Sequence, residues 1–388
     1  TGYYIEMILA HKIQLDPTEK QKNQLRRAAG CARYTWNWAL AEAEKCYKDT
    51  GKSVNFNELK KRWNKEKPNW VLESPKDANQ AQFSSLKQAY GRFFKKISRR
   101  PKFKSKHGSK DSFYLSNDKF KLHDKTVRIP HMEEVRLTES LRFGGKLIAA
   151  VVSRTADRWF ISVQIEVKHV PKHGDEVIAV DLGLKNFATL STGEVITAPQ
   201  PLKCKLDALR RRSRQHSRKQ KGSCNRVKSA MKLARLHATI SNIRKDFLHK
   251  VTSGLVARTK LLVIEDLSIA GMAKLWGRCV NDLGLYEFRR QLTYKCKLND
   301  VALVVADRWF PSTQLCSCCG ERQIIGLGER QYACPTCGFC ADRDLNAALN
   351  LHTAGFAVIN ACGHEGSDWK HTLAVKPSWL KQELSSCS

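Results

Sequence analysis

Hydrophobic and polar positions change their period twice along the chain. Ile8–Leu15 alternates loosely, which predicts one strand. Asp16-Pro17-Thr18-Glu19 then opens a helix, with Pro17 at the first helical position and acids in the first turn. Helical spacing persists to about Ile97. Leu25, Ala28 and Ala32 share a face, as do Phe83, Leu86, Tyr90 and Phe93, and Arg99-Arg100-Pro101 ends the pattern. After Pro101 the period becomes that of strands. Phe113–Leu115, Thr126–Ile129 and Val135–Leu137 are short candidates, and Leu147–Ser153 and Trp159–Val167 form a hairpin through Thr155–Arg158. Ile8–Leu15 would join this β module if the helical part were an insertion.

His169–Asp175 is a linker by composition, and an α/β pattern follows it. Val177–Val180 is a buried strand ending in Asp181. Phe187–Leu190 and Glu194–Ile196 are two more, joined by the Thr192-Gly193 turn. Leu233, Leu236, Ile240, Ile243 and Phe247 mark one apolar face of a long amphipathic helix. Lys260–Ile264 and Val301–Val305 are strands, Tyr286–Leu298 a helix, and Leu345–Thr353 a short helix. Beyond about Gly355 the chain is polar and aperiodic, and residues 356–388 are expected to be a disordered tail.

Charge narrows the partners. Lys and Arg total 68 against 37 Asp and Glu, a net +31, which calls for a polyanion such as nucleic acid. Two stretches concentrate it: ten Lys or Arg and no acid in Lys87–Lys110, and sixteen against two acids in Lys203–Lys250. The bland reading of each is a solvated helix face. The apolar run Leu147–Val152 is too short to span a bilayer, and the N-terminus lacks the signal-peptide pattern. No membrane partner is expected, and a cytoplasmic location is. Position 1 is Thr, and Met7 is a candidate natural start.

Six of the fourteen cysteines crowd into Cys316–Cys340. Cys316/Cys319 and Cys334/Cys337 give two C-x2-C pairs fourteen residues apart, a spacing that suits a closed, structural Zn²⁺ site. Gly320 and Gly338 follow each pair, where a knuckle turn needs positive φ. Cys318 and Cys340 are spare thiols that leave other registers open. The competing reading is a set of buried or redox-active thiols.

Three carboxylates form the second constellation. Asp181 follows one buried strand and Glu265 another, at the strand ends where open α/β sheets bind ligands. Asp344 stands at the start of the last helix, where the helix dipole favours an anion. Each alone could be a solvated or capping acid, and Asp266, Asp307 and Asp342 compete for the same roles. Together they suit two Mg²⁺ ions, with Mn²⁺ able to substitute, clamping a scissile phosphate and activating water.

Ile178-Ala-Val-Asp181-Leu-Gly183-Leu-Lys-Asn186-Phe resembles the first RuvC motif of the TnpB family, small nucleases of bacterial insertion sequences. Val263-Ile-Glu265-Asp-Leu resembles the second motif. Phe310 to Cys337 resembles the inserted zinc ribbon, and Asp342-Arg-Asp344-Leu-Asn346-Ala-Ala-Leu-Asn350 resembles the third motif. Ala28–Asn37, Ala89–Phe94 and the tail around Ala374–Glu383 are similar to the family more loosely.

The resemblance implies an RNase H-like (RuvC) α/β nuclease domain at 171–310 and 341–355, with a zinc ribbon at 311–340. It implies an N-terminal β-barrel wedge domain at 1–15 and 101–170, and a helical recognition insertion at 16–100. The implied activity is RNA-guided cutting of double-stranded DNA beside a short transposon-adjacent motif. The implied partners are a guide RNA from the transposon end and double-stranded target DNA, bound by a monomer associated with the bacterial nucleoid. Asp181, Glu265 and Asp344 carry over as catalytic metal-binding acids. For the adjacent-motif reader the resemblance favours Lys76, Asn79 and Gln80 on a helix, with Ser116 and Asn117 on the wedge. Asn and Gln can read adenine, and Lys can hold phosphate. Arg210, Arg211, Arg214, Arg218, Lys219, Lys221, Lys228 and Arg235 suit a channel for guide and target, where base pairing reads the sequence. The alternatives are an unguided, structure-selective nuclease and a nucleic-acid-binding regulator on the same fold. Small type V CRISPR effectors share the motifs, and genomic neighbours separate them from the transposon proteins.

Overall fold

Thr18 begins the first helix by a reciprocal cap: its hydroxyl accepts from Gln21 N, and its own N–H donates to Gln21 Oε1. Pro17 therefore precedes the cap and is not the first helical residue. In the computed structural model, which describes residues 4–361 and 373–375 except His107, Ser109 and Leu327, this helix is α1 (Glu19–Thr50). It stops at Gly51, which takes φ +68°. α2 (Phe56–Glu66) and α3 (Lys76–Phe94) follow. α3 ends before the sequence pattern does, because Lys96 turns to φ +57° and the basic segment beyond leaves the helix axis.

The chain divides into two compact units, Glu6–Lys168 and His169 onward with the residues up to Ile5. In the first, α1–α3 lie in sequence between β1 (Ile5–Asp16) and β2 (Ser112–Ser116). The other strands are β3 (Lys121–His123), β4 (Thr126–Arg128), β5 (Val135–Leu137), β6 (Lys146–Thr155) and β7 (Arg158–His169). They form one seven-stranded sheet in the order β2-β6-β7-β1-β5-β4-β3. Period-two alternation on β7 buries Trp159, Ile161, Val163 and Ile165 against Leu25, Ala28 and Ala32 of α1. Further along α1, Trp36 and Leu40 continue the same stripe and pack with Leu59, Trp63 and Phe83 of α2 and α3.

The second unit holds a six-stranded sheet. Its strands are β8 (Glu176–Leu182), β9 (Ala188–Leu190), β10 (Val195–Ile196), β11 (Thr259–Glu265), β12 (Ala302–Ala306) and, beyond two strands of the cysteine-rich segment, an edge strand at 373–375. β8 pairs parallel with β11, β11 with β12, and β12 with the edge strand, while β9 and β10 run back antiparallel. The expected single basic helix is two, α4 (Pro201–Ser217) and α5 (Cys224–Arg258), broken at Gly222 with φ +85°. α6 (Ile269–Leu283) was not predicted, and α7 (Leu285–Asn299) follows it. β13 (Gln331–Ala333) and β14 (Cys340–Asp342) form a small hairpin.

α8 (Arg343–Ala361) then covers one face of the sheet and runs past the expected tail boundary. Residues 373–375, β15, also depart from a disordered tail. The remainder of the expected tail, with its family-like residues past Val375, lies outside the described residues. Side chains of one parity, Ile178, Val180, Leu262 and Ile264, pack against α5 and α7. The other parity, Ala179, Leu261 and Val263, packs against Leu351 and Ala354 of α8. α8 sits close because Gly355 has no side chain: a Cβ there would lie 2.3 Å from Val263 Cγ2.

Candidate active site

Strand parity and register place the acids. Asp181 follows Ala179 by two residues and Glu265 follows Val263 by two, so both lie on the face covered by α8. Ile264 pairs with Val180, so Asp181 and Glu265 are the next residues along adjacent parallel strands. Asp344 is in the first turn of α8, which packs against β8. The three acids thus share one end of the sheet. Burial first, then the charges of Glu265 and Asp344, push the Asp181 carboxyl up to about 7. Burial and then Asp266 push Glu265 up to about 7 as well. Such a pair needs protons or a cation to be comfortable, which fits carboxylate ligands of a divalent metal. Among the described residues the acids do not draw together as tightly as the cysteine group described below.

The competing acids have other work. Asp342 Oδ1 accepts from Asp344 N at 2.9 Å and Leu345 N at 3.3 Å, so it caps α8. Asp266 binds Arg289, and Arg308 at 2.8 Å, which together hold its carboxyl below the usual range despite burial. Asp307 accepts from Trp309 N at 2.8 Å. Asp344 is left with looser flanking cations, Arg343 at 3.6 Å and Arg330 at 3.9 Å.

The four cysteines are preassembled. Cys316 and Cys337 sulfurs are 3.6 Å apart, as are those of Cys319 and Cys334, and all four lie within 4.8 Å of one another. A tetrahedron with Zn–S of about 2.3 Å has S–S edges of about 3.8 Å. The two knuckles repeat one geometry. Gly320 N donates to Cys316 O at 2.9 Å and Gly338 N to Cys334 O at 3.0 Å, with φ +76° and +73°. The backbone N–H groups of Cys337 and Thr336 favour the Cys334 thiolate, whereas burial and the neighbouring sulfurs push the Cys319 and Cys337 thiols up, so the four share their protons as one group. Cys318 and Cys340 are exposed and outside the group.

Sequence reasoning gave no role to the asparagines of α8 that join the two constellations. Asn346 Nδ2 donates to Leu315 O at 2.7 Å, and its Oδ1 accepts from Ser317 N at 2.9 Å. Asn350 Nδ2 donates to Ser312 O and Leu315 O at 2.8 and 2.7 Å. They fasten the turn segment entering the first knuckle to the helix that carries Asp344. Their i, i+4 spacing on one helix face was the available signal.

Three family descriptions match the chain: "Probable transposase" over residues 160–275, "Cas12f1-like, TNB domain" over 286–351 and "Helix-turn-helix domain" over 7–52. A Streptomyces pristinaespiralis protein named as an RNA-guided DNA endonuclease is 34% identical over 386 residues, covering 96% of each chain. The chain belongs to the TnpB family. An Escherichia coli K12 relative with the same kind of name is 32% identical, covering 92% of this chain and 95% of its own. The fold is that of a Cas12f1 solved with its guide RNA and target DNA: TM-score 0.55 at 13% identity, over 90% of this chain and 99% of that one. The stretch 7–52 of this TnpB relative is a strand and one continuous helix, not a pair of helices around a turn.

The basic residues of this TnpB-family chain fall into two kinds. Arg210, Arg211, Arg214, Arg218, Lys219, Lys221, Lys228 and Arg235 are all exposed on the α4–α5 hairpin. Arg210 is partly engaged by Asp207 at 3.3 Å. The N-terminal candidates are more divided. Lys76 and Asn117 are exposed. Asn79 is 2% exposed and its Oδ1 accepts from Trp63 Nε1 at 3.4 Å, and Gln80 is nearly buried and donates to Asn64 Oδ1 at 2.6 Å. The Ser116 hydroxyl binds Asp77, and Asp118 at 2.7 Å. Among the described residues no helix is long and apolar enough to cross a membrane.

A buried acid that sequence reasoning missed holds the hairpin. Asp282 at the end of α6 is 5% exposed. Its carboxylate accepts from Leu202 N and Lys203 N at 3.0 Å, capping α4, whose preceding Gln200 makes no side-chain cap. It also pairs with Arg244 of α5 at 2.9 Å. One carboxylate thus joins three helices.

Proposed function

We propose that this chain is an RNA-guided DNA endonuclease that cuts double-stranded DNA beside a short adjacent motif by carboxylate–metal chemistry. The observation that carries the reading is the set of three acids on one face at one sheet end, two of them pushed up to about 7. Asp181, Glu265 and Asp344 would hold divalent cations, Mg²⁺ or Mn²⁺. Bound there, such ions supply positive charge that polarises a phosphodiester and lowers the pKa of a water. The protein's part is to fix the acids on rigid strand ends and a helix start. It also removes Asp266, Asp307 and Asp342 from competition. Cys316, Cys319, Cys334 and Cys337 would hold a structural Zn²⁺ with no open position.

The sheet order β10-β9-β8-β11-β12, three antiparallel strands followed by two parallel ones, supports an RNase H-like (RuvC) nuclease domain at 171–310 and 341–355. On this reading residues 311–340 are its zinc ribbon. Residues 1–15 and 101–170 are the wedge, and 16–100 the recognition helices. The exposed hairpin residues from Arg210 to Arg235 line a guide and target path. Lys76 and Asn117 remain the accessible adjacent-motif contacts, whereas Asn79 and Gln80 support them from the core.

The test is to express the chain with its own downstream genomic flank, purify it in salt and sequence the RNA that stays bound. The expected result is one discrete RNA ending in a variable segment, and Mg²⁺-dependent cutting of duplex DNA matching that segment. Heterogeneous host RNA and no matched cutting would overturn the reading.

A further inference from the structure

Ten Lys and Arg crowd residues 87–110, and the structure sets Lys104 apart from the others. It lies on an extended strap fastened to α1 through its backbone. Trp36 Nε1 donates to Lys102 O at 3.0 Å, and Asn37 Nδ2 donates to Lys104 O at 2.8 Å. Lys104 N donates back to Asn37 Oδ1 at 2.7 Å. The half-buried side chain then crosses the Trp36 ring, with Nζ 3.8 Å from its centroid. Among the described residues Nζ has one hydrogen-bond acceptor, Gln82 Oε1 at 3.4 Å, and no carboxylate at ion-pair distance. Arg33 repels it and is itself taken by Asp111 at 2.8 Å. Burial and that repulsion hold the ammonium down to about 8.

Lys295 shows what a buried structural lysine looks like in the same chain. Burial lowers it to about 8 too, but its ammonium donates to Thr252 Oγ1 and Ser253 Oγ at 2.7 Å and His249 O at 2.9 Å. All three of its donors are satisfied. Lys104 has a fixed stem, a desolvated charge and, among the described residues, spare donors, a combination that costs stability in the free protein and favours an anion. We propose that Lys104 Nζ, with Gln82 beside it, is a preformed site for a phosphodiester oxygen of the bound nucleic acid. The inference rests on the nucleic-acid reading above and adds a residue and a place to it.

The full chain, wild type, Lys104→Met and Lys104→Arg, is titrated against salt in two arms. One uses the flank RNA alone, and the other gives the RNA-loaded protein its matched duplex DNA. Lys104→Met is expected to weaken binding roughly tenfold near physiological salt. It should also reduce the salt slope by about 0.7 to 0.9, one phosphate's worth. Lys104→Arg should restore the slope. Loss in the RNA arm identifies an RNA phosphate, and loss confined to the second arm a DNA phosphate. The thermal midpoint of free Lys104→Met should equal or exceed that of wild type, because a desolvated charge with no carboxylate partner among the described residues has gone and Met keeps the contact with the Trp36 ring. Unchanged slopes in both arms, a lower midpoint or an unfolded variant overturns the inference. Wild type binding neither nucleic acid would instead fail the reading beneath it, and that is visible without any variant.

Discussion

At the scale of single residues, two carboxyls held up near neutrality impose a pH dependence that can be signed. Asp181 and Glu265 bind protons in the folded, metal-free protein up to about pH 7, whereas unfolded acids release theirs near pH 4. Between those limits these two groups bind more protons in the folded state, so their own contribution to metal-free stability is greatest at the acid end and declines as pH rises toward 7. Asp181→Asn removes its share of that decline. Its stability advantage over wild type in chelator should be near zero at about pH 4 and grow to on the order of 1–3 kcal/mol by about pH 7.5. Divalent metal should shrink the difference by stabilising wild type, and the variant should not cleave. Thermal melts of both proteins across pH check this. A difference independent of pH, or retained cleavage, would sink the assignment of Asp181.

At the scale of elements, legibility followed length and burial. β8, β11 and β12 were readable because buried parallel strands are continuous apolar runs bounded by polar residues. β3, β13 and β14 were not, since Lys-Leu-His, Gln-Tyr-Ala and Cys-Ala-Asp lack the β-branched residues that made the equally short β4, β5 and β9 readable. α6 was missed because Gly271 and Gly277 interrupt it and its backbone leaves helical φ and ψ at Trp276. In the site, the acids and cysteines were legible as spaced motifs. Asp282 was not, because its partners Leu202 and Arg244 stand 80 and 38 residues away. Its effect should nevertheless be large. Asp282→Ala strands Arg244 and uncaps α4, for an expected loss of about 3–5 kcal/mol, whereas Asp282→Asn keeps an acceptor for the helix N–H groups and should lose less. Urea melts rank the variants, and hydrogen exchange should show the first turn of α4 opening. An Ala variant as stable as wild type would discard the junction. For the cysteine hairpin, Cys316→Ser should lower zinc per chain by elemental analysis and loosen the 312–317 segment tied to Asn346 and Asn350. Unchanged zinc would remove Cys316 from the ligand set.

At the scale of the whole molecule, the surplus of +31 is a property of no single contact. Several acids are already engaged: Asp111 by Arg33 and Arg154, Glu287 by Arg290, Asp282 by Arg244. The α4–α5 hairpin therefore leaves most of its cations facing solvent and each other. Free protein carries that repulsion, and bound RNA replaces it with attraction, so salt must act on the two forms with opposite signs. Raising ionic strength from about 0.05 to 0.5 M shortens the screening length from roughly 14 to 4 Å. The RNA-free chain should gain a few degrees in its unfolding midpoint over that range. The RNA-bound chain should lose stability, because released counterions compete for the phosphates. A scan of both forms in the same salt series reads the two slopes directly. Parallel slopes would mean that the charge surplus is spread over surfaces that RNA never covers, and the hairpin would then lose its place as the nucleic-acid path.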